Sequence, residues 1–390
     1  ALPWEELESA TDAIEARLGV TPTDPAIAGP KNLLLAKGAE ALGLAHRPIR
    51  RNVVGCEGLG RCLQGCPKGH KRSTEATLLM DLEARGGTIL SSVEAIGVDV
   101  KEPGRAVAVR GRTPTGREVR ASARQAIILA ASAIGTPILL QRSGLRAGPV
   151  GHGFQCHPGI SLAGRFPTPV RMWEGATQGH EVTGLRQEGL KFETLGFGLA
   201  VLAARLPGAG ATLARNIDDM AHWLDWGVAV KTEARGRVRL IANRPVVTWS
   251  PSPNDIARFR KGLRVLGEMM LAAGADHVTP SVRGFSLPGG NTSDPNDLAR
   301  LEREGPRSPS AYSAAITHMF GTCRLGRDPA TSVVRPDLRH HTIEALHIAD
   351  SSVFPTNTGV NPQIPIMAIA TLCARRALAS KRPGMVSGAP

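Results

Sequence analysis

Apolar residues at helical spacing mark both ends of the chain and one long segment between them. Over residues 4–18 they recur every three to four positions and stop at Gly19, which is typical of an amphipathic helix. The pattern is clearest over 255–273, where one apolar face ends at Gly274. Weaker patterns predict further helices over 32–42, 73–84 and 362–380, and one that begins at Thr136.

Stretches rich in β-branched residues predict the strands. Four of them lie at 88–100, 106–110, 119–129 and 345–350. Between 160 and 252 short apolar runs alternate with Gly and Pro, which indicates an antiparallel sheet. These runs are 182–185, 195–202, 227–232 and 238–242. Residues 284–312 are polar and rich in Pro and Gly, so a long loop is expected there.

Composition and charge narrow the class of protein. The chain has 390 residues, of which 42% are hydrophobic and 21% charged, as expected of a soluble protein with two domains. No apolar run is long enough for a transmembrane segment, and no signal peptide is visible, which favours a cytoplasmic location. The net charge of +13 is spread without a dense basic block or a nucleic-acid motif, so we expect no nucleic acid. A solvated basic surface is the simplest interpretation, and a docking face for an acidic partner is the alternative.

Three motifs near the C-terminus carry most of the chemical information. They are His318-Met-Phe-Gly-Thr-Cys-Arg-Leu-Gly326, Ile348-Ala-Asp-Ser-Ser-Val-Phe-Pro355 and Gly359-Val-Asn-Pro-Gln-Ile-Pro-Ile-Met367. In content and order they resemble the C-terminal region of the glucose–methanol–choline (GMC) flavoprotein oxidoreductases. Residues 132–145 resemble the second signature of that family, with Ser132 in place of the usual Gly. Residues 150–158 are also similar, except that Gly153 and Cys156 replace an Asn and an Asp.

The resemblance implies roles for individual residues. His318 matches the family's catalytic base, and Asn361 matches the partner that hydrogen-bonds the substrate oxygen. The helix that begins at Pro362 would direct its N-terminus at the flavin pyrimidine ring. The positions implied to bind FAD are Ala131, Ser132, Gly135, Asp350, Ser351, Pro362, Gln363 and Ile364. A structural histidine, an N-cap asparagine and a turn aspartate are the alternatives.

A cysteine-rich loop forms a second candidate site. Cys56, Cys62 and Cys66-Pro follow a spacing related to that of ferredoxin cluster ligands. Some GMC dehydrogenases carry a three-iron cluster with this spacing, so an iron–sulfur cluster is one interpretation. Structural thiols or a disulfide are the second, and zinc is the third.

The family's N-terminal motifs are missing from the sequence. There is no Gly-x-Gly-x-x-Gly fingerprint for the FAD pyrophosphate and no Gly-Gly-Ser-Ser loop. Residues 2–7 resemble the segment that follows that loop in the family. The resemblance therefore implies that a βαβ unit is supplied by a second polypeptide or by a removed N-terminal piece.

These observations predict an α/β fold with two parts. An incomplete Rossmann-like FAD-binding domain is assigned to 1–150 and 313–390, and a substrate domain with an antiparallel sheet to 151–312. The predicted function is FAD-dependent oxidation of a small-molecule alcohol, with a dehydrogenase favoured over an oxidase. The alternatives are an iron–sulfur electron-transfer or scaffold subunit, and a non-redox lyase on the same scaffold.

Overall fold

The computed structural model describes residues 2–379, and ten α-helices lie within that range. They are α1 (Trp4–Leu18), α2 (Pro25–Ala28), α3 (Pro30–Ala41), α4 (Met80–Ala84), α5 (Ser132–Arg142), α6 (Leu199–Ala203), α7 (Ala211–Asp218), α8 (Pro253–Ala273), α9 (Pro295–Glu304) and α10 (Gln363–Ala379). A single π-helical segment, Glu75–Leu79, leads into α4. The predicted helices at 4–18 and 255–273 are confirmed, because each has a clear apolar face and a left-handed glycine after its last turn.

Sixteen β-strands lie within residues 2–379. They are β1 (Val20–Pro22), β2 (His46–Pro48), β3 (Arg50–Asn52), β4 (Glu94–Lys101), β5 (Arg105–Arg112), β6 (Glu118–Ser122), β7 (Ile127–Leu129), β8 (His152–Arg165), β9 (His180–Val182), β10 (Leu190–Thr194), β11 (Trp223–Val230), β12 (Gly236–Ile241), β13 (Arg244–Thr248), β14 (His277–Thr279), β15 (Ala314–Phe320) and β16 (Leu346–Ile348).

The long strand β8 organises the largest sheet. This nine-stranded antiparallel sheet follows the order β13-β12-β8-β11-β10-β9-β2, and β14 and β15 also pair with β8. Residues 158–165 alternate between buried and half-buried, whereas 154–158 are buried without a break. β8 therefore has one face on the core in its second half and is covered on both faces in its first half. Its pairing with β15 brings the strand of His318 into this sheet.

A small parallel pair forms the centre of the second half of the molecule. β7 and β16 pair in register from Ile127 with Leu346 to Leu129 with Ile348. β7 leads directly into α5, and β16 leads into the turn that contains Asp350. Because parallel strands end at the same edge of a sheet, the helix start and the turn are neighbours. The antiparallel sheet β4-β5-β6 and the packed helices α1 and α10 complete this half.

Two large hydrophobic cores correspond to these two halves. One core joins β8, β10 and β11 to α8 and α9, and the other joins β7 and β16 to α5 and α10. The predicted domain boundaries stay a prediction, with one difference at α3. Its residues Leu35 and Ala39 belong to the first core although they lie within 1–150. Gly38 permits this packing, because a Cβ there would lie 2.3 Å from the carbonyl oxygen of Met269 in α8.

Three local predictions were wrong. Residues 195–202 do not form a strand; β10 ends at Thr194, and Gly198 caps the short helix α6. The expected loop at 284–312 contains α9, because Asp294 caps its N-terminus through the N–H of Asn296. The helix expected from Thr136 begins at Ser132, so Pro137 lies inside its second turn.

Candidate active site

His318 projects from a β-bulge. The register between β15 and β8 shifts there, since Thr317 faces His157, Met319 faces Cys156, and His318 is left without a partner. Its φ of 46° lies in the left-handed region, which costs a residue other than glycine about 1–2 kcal/mol. Bulges commonly re-aim a side chain next to an active site. The strain at a motif histidine is therefore consistent with a functional position.

His157 is the main partner of His318. The two Nδ1 atoms lie 3.4 Å apart, and the backbone N–H of Gly359 donates to Nε2 of His157 over 2.9 Å. A backbone N–H can only donate, so a neutral His157 carries its proton on Nδ1 and directs it toward His318. Burial lowers the pKa of His157 to about 3, with a further contribution from His318. This arrangement therefore persists throughout the physiological pH range.

The protonation of His318 depends on several neighbours. Burial lowers its pKa, the carboxylate of Glu193 acts to raise it, and the ammonium group of Lys191 acts to lower it. The net shift is downward, so His318 is neutral near pH 7. With Nδ1 next to the proton of His157, neutral His318 carries its own proton on Nε2.

Asn361 is joined to β10 of the nine-stranded sheet by Lys191. The ammonium group of Lys191 donates to Oδ1 of Asn361 over 2.8 Å and to Glu193 over 2.6 Å. A second carboxylate, that of Glu181, lies 3.5 Å from the same nitrogen. The side chain of Lys191 is only 4% exposed, whereas Asn361 is exposed to the adjoining cleft. The motif residue is therefore oriented by a buried cation that lies 170 positions earlier in the chain.

The cleft beside Asn361 has a volume of about 440 Å³. Its charged lining is contributed by Glu15, Arg47, Arg50, Arg51, Lys71, Glu181, Arg186 and Lys191. Its remaining lining includes Val360, Gln363 and Ile364 near the start of α10. The cleft therefore joins the predicted substrate residue to two of the positions predicted for the cofactor, Gln363 and Ile364.

Asp350 joins two segments at the ends of the parallel strands. Its Oδ2 accepts from the backbone N–H of Ser132 over 3.0 Å and from the hydroxyl of Thr136. Its Oδ1 accepts from the N–H of Ser352 over 2.8 Å. Asp350 thus fixes the start of α5 against the turn after β16. Ala131, Ser132, Gly135 and Ser351 are neighbours in this cluster, so the structure brings five of the predicted cofactor positions together.

The start of α10 has the donors that a flavin ring would require. The first N–H groups of a helix have no acceptor within it, and the positive end of the helix dipole favours a negative charge. α10 has 17 residues and begins one position after Pro362, at the cleft. Pro362 lacks an N–H, so Gln363 and Ile364 supply the first backbone donors. These residues fit a ring that becomes negative on reduction.

The cysteine loop forms a small electropositive site. Nη2 of Arg51 lies 3.6 Å from Sγ of Cys56 and 3.8 Å from Sγ of Cys62. Burial acts to raise the pKa of Cys66, but backbone N–H groups of residues 68–71 outweigh it and lower the pKa. All six cysteines lie within residues 2–379, and none forms a disulfide there. Over the same residues no group of three or more His, Cys, Asp or Glu side chains is placed to hold a metal ion. The thiols as arranged therefore do not fit a cluster or a zinc ion.

Lys191, Glu193 and Glu181 were missed by sequence reasoning. A weak signal was present, since Lys191 and Glu193 occupy alternate positions of a five-residue strand and are separated by Phe192. Charged residues on one face of a fully buried strand need partners, which marks a polar site. His157 was noticed only as part of a motif, because its contact to His318 spans 161 positions.

Comparisons with known proteins agree with this architecture. Two family models, both described as GMC oxidoreductase, match residues 1–159 and 232–370. An uncharacterised GMC-type oxidoreductase of Mycobacterium tuberculosis is 33% identical over 379 residues, or 96% of this chain and 59% of the relative. A long-chain-alcohol oxidase of Arabidopsis thaliana is 30% identical over 360 residues, or 88% of this chain and 49% of the relative. The chain thus spans about half to three-fifths of the length of these relatives.

A solved structure supports the fold. Formate oxidase of Aspergillus oryzae aligns with 92% of this chain and 72% of its own, with a TM-score of 0.68 and 16% sequence identity. The predicted α/β class with an antiparallel sheet is therefore confirmed. Among the described residues, none of the helices has the length and apolar character needed to cross a membrane.

One prediction about the N-terminal half finds no support. The N-terminal family model matches residues 1–159, so the comparisons do not favour a βαβ unit supplied by another polypeptide. The expectation had rested on the missing glycine fingerprint, on the missing Gly-Gly-Ser-Ser loop and on the resemblance of residues 2–7 to the segment after that loop. A second chain is likewise unsupported. The matched models, the relatives and the motif residues nevertheless agree on one assignment: this chain belongs to the GMC oxidoreductase family.

Proposed function

We propose that the protein oxidises an alcohol group of a small molecule with a bound FAD. One observation carries the proposal: the two motif segments share two buried partners. His157 contacts His318 and accepts from Gly359, two positions before Asn361. Lys191 bonds Asn361 directly and influences the charge of His318. Residues from two motifs are thus linked through shared buried partners, and one of them, Asn361, lines the cleft.

In this proposal each side chain has a distinct task. The amide of Asn361 donates to the substrate oxygen and orients the alcohol, because its own oxygen is held by Lys191. Neutral His318 takes up the hydroxyl proton. The free lone pair of neutral His318 is on Nδ1, which faces Nδ1 of His157 at 3.4 Å. This long contact has to break before Nδ1 of His318 can take up the hydroxyl proton. The flavin, when bound, supplies the hydride acceptor, and Gln363 and Ile364 would contact its ring.

The names of the relatives bear on the reaction class. The Arabidopsis relative is a long-chain-alcohol oxidase, and a Streptomyces fradiae relative, 25% identical, is a paromamine 6′-oxidase. Both names describe oxidation, and the name of the Arabidopsis relative specifies an alcohol, which supports an alcohol-type substrate here. The preference for a dehydrogenase over an oxidase rested on an iron–sulfur cluster that would accept the electrons. Because the thiols as arranged do not fit a cluster, they give no reason to prefer a dehydrogenase. The cytoplasmic location stays a prediction.

Flavin bleaching tests the proposed reaction. Candidate alcohols are added without oxygen to FAD-loaded protein, and the visible flavin absorbance is followed. We expect bleaching in the wild type, and in His318→Ala a rate at least about 100-fold lower because a general base is lost. His222→Ala is the matched control, because His222 directly precedes β11 at the end of that strand that pairs with Arg165, away from His157.

Three outcomes would contradict the proposal. Equal bleaching in His318→Ala and the wild type would remove His318 as the base. Product formation without bleaching would favour a lyase. An unchanged turnover of the His318→Ala protein in any larger assembly would favour an electron-transfer subunit.

The iron–sulfur interpretation needs its own measurement. Iron and acid-labile sulfide are determined in anaerobically purified protein, with Cys62→Ser as the comparison. The observed thiol arrangement leads us to expect no cluster in either protein. Stoichiometric iron that is lost in Cys62→Ser would restore the cluster and, with it, the dehydrogenase preference.

A further inference from the structure

Lys191 is a buried charged residue in direct contact with Asn361. It lies on β10, which is paired on one side with β11 and on the other with β9, so its backbone has little freedom. Its ammonium nitrogen contacts Glu193 at 2.6 Å, Asn361 at 2.8 Å and Glu181 at 3.5 Å. Burial of a lysine side chain removes its hydration, and such ion pairs and hydrogen bonds compensate for that loss. Glu193 and Glu181 are the acidic partners of Lys191 here.

The charge balance of this cluster is positive. Glu181 is also paired with Arg47 and Arg186, each over 2.8 Å. Three cations therefore face two carboxylates, and Glu193 is the closest partner of Lys191. The excess positive charge lies next to Asn361, where a substrate oxygen would become more negative as its proton leaves.

The chemistry of an ammonium group fixes the direction of the amide. An ammonium group can donate but cannot accept, so it binds the oxygen of Asn361 and excludes the NH₂ group from that position. The NH₂ group must then point away from β10, and Asn361 is exposed on the cleft side. Without this cation the amide could rotate and present either end.

We propose that Lys191 is a positioning residue that turns the NH₂ group of Asn361 toward the substrate oxygen. The inference deepens the proposed function and rests on it for the identity of the substrate. Lys191 acts through Asn361 and does not contact the reacting atoms. The charge of Lys191 also acts to lower the pKa of His318, whereas Glu193, the larger of the two contributions from β10, acts to raise it. From β8, His157 faces the same ring.

The first experiment measures kcat and KM of the FAD-loaded protein after Lys191→Met. A single donor to a developing oxyanion contributes about 100-fold or more to kcat, and its misorientation forfeits part of that. We therefore expect kcat to fall about 10- to 100-fold with a smaller change in KM. Lys191→Arg, which also can only donate, should recover part of the loss. Lys261→Met removes a surface lysine paired with Glu188 and should leave both constants unchanged.

A second readout does not depend on turnover. The side-chain amide signals of Asn361 are recorded by NMR, with Asn361→Ser used to assign them. They should shift in Lys191→Met and stay in place in Lys261→Met. Lys191→Met alone leaves the buried carboxylate of Glu193 without its closest cation, which destabilises the fold. The double variant Lys191→Met with Glu193→Gln removes that charge, so the same measurements on the folded double variant test the inference.

The two readouts separate the inference from the proposed function. Unmoved amide signals together with unchanged kinetic constants would overturn the role of Lys191. Shifted amide signals in a protein that oxidises no alcohol would uphold the orientation and refute the proposed reaction. A kcat that Lys191→Arg restores, with amide signals returned to their original positions, would support both.

Discussion

At the scale of single residues, donor and acceptor rules decide how the site is protonated. The N–H of Gly359 occupies Nε2 of His157, and this leaves one proton that can point at His318. A protonated His318 would place two N–H groups against each other across 3.4 Å. His157 therefore opposes charging of His318, beyond the effect of burial.

Two substitutions at His157 test this protonation pattern. In His157→Leu the opposing N–H is lost, so the pKa of His318 should rise and the acidic limb of the activity profile should move to higher pH. His157→Gln retains an acceptor for Gly359 and a donor for His318, so its profile should stay closer to that of the wild type. The pKa of His318 is followed by NMR titration alongside the rate profile. Identical profiles for both variants would contradict the proposed tautomers.

At the scale of elements, close contact between helices stabilises the half of the molecule that contains the nine-stranded sheet. α3 packs on α8, and Gly38 brings the two backbones together where a larger residue would collide with Met269. The collision involves backbone atoms, which cannot move aside like the end of a side chain. α3 also carries Asn32, whose side chain donates to the carbonyl of Ala176, so its position affects the loop beside the cleft.

Gly38→Ala should therefore destabilise the protein although alanine favours helices. Overpacking of this kind costs about 1–3 kcal/mol, more than the helix propensity gained. Leu33→Ala is the control, because Leu33 lies on the exposed side of the same helix. Urea unfolding measures both changes. A Gly38→Ala variant as stable as the wild type would show that α3 shifts freely on α8.

At the scale of the whole molecule, buried histidines link stability to pH. Burial lowers the pKa of His180 to about 4, with help from His46, and that of His340 to about 4, with help from His341. His157 behaves in the same way, with a pKa of about 3. The unfolded chain binds protons at these positions near pH 6.5, and the folded chain does not. Stability is therefore complete above about pH 6.5 and falls as the pH drops toward 4.

Each of these histidines should cost about 2 kcal/mol of stability by pH 5 relative to neutral pH. His340→Asn is a suitable variant, since it lies far from the cleft and an amide oxygen can still accept from the N–H groups of Thr342 and Ile343. We expect its free energy of unfolding to decline less between pH 7.5 and pH 5 than that of the wild type. Parallel curves would show that His340 takes up its proton while folded.

Local patterns by themselves determined several features of this protein. The helices at 4–18 and 255–273 follow from apolar spacing and from the glycines that end them, which are interactions within a few residues. The C-terminal motifs indicated the family, because their residues are adjacent in the chain. The antiparallel sheet was also foreseen as a class, although its longest strand, β8, was not.

Only the tertiary structure decided how the site is assembled. The hydrogen bond from Lys191 to Asn361 and the contact of His157 with His318 join residues that no local pattern relates. The central position of β8 in the sheet could not be recognised from a local pattern. Its partners β11, β12, β14 and β15 are separated from it in the chain by other elements. Local propensity acts over a few residues, whereas charge pairing and strand pairing act through space. The sequence therefore yielded a set of candidate residues, and the fold determined which of their atoms are engaged by buried neighbours and which face the cleft.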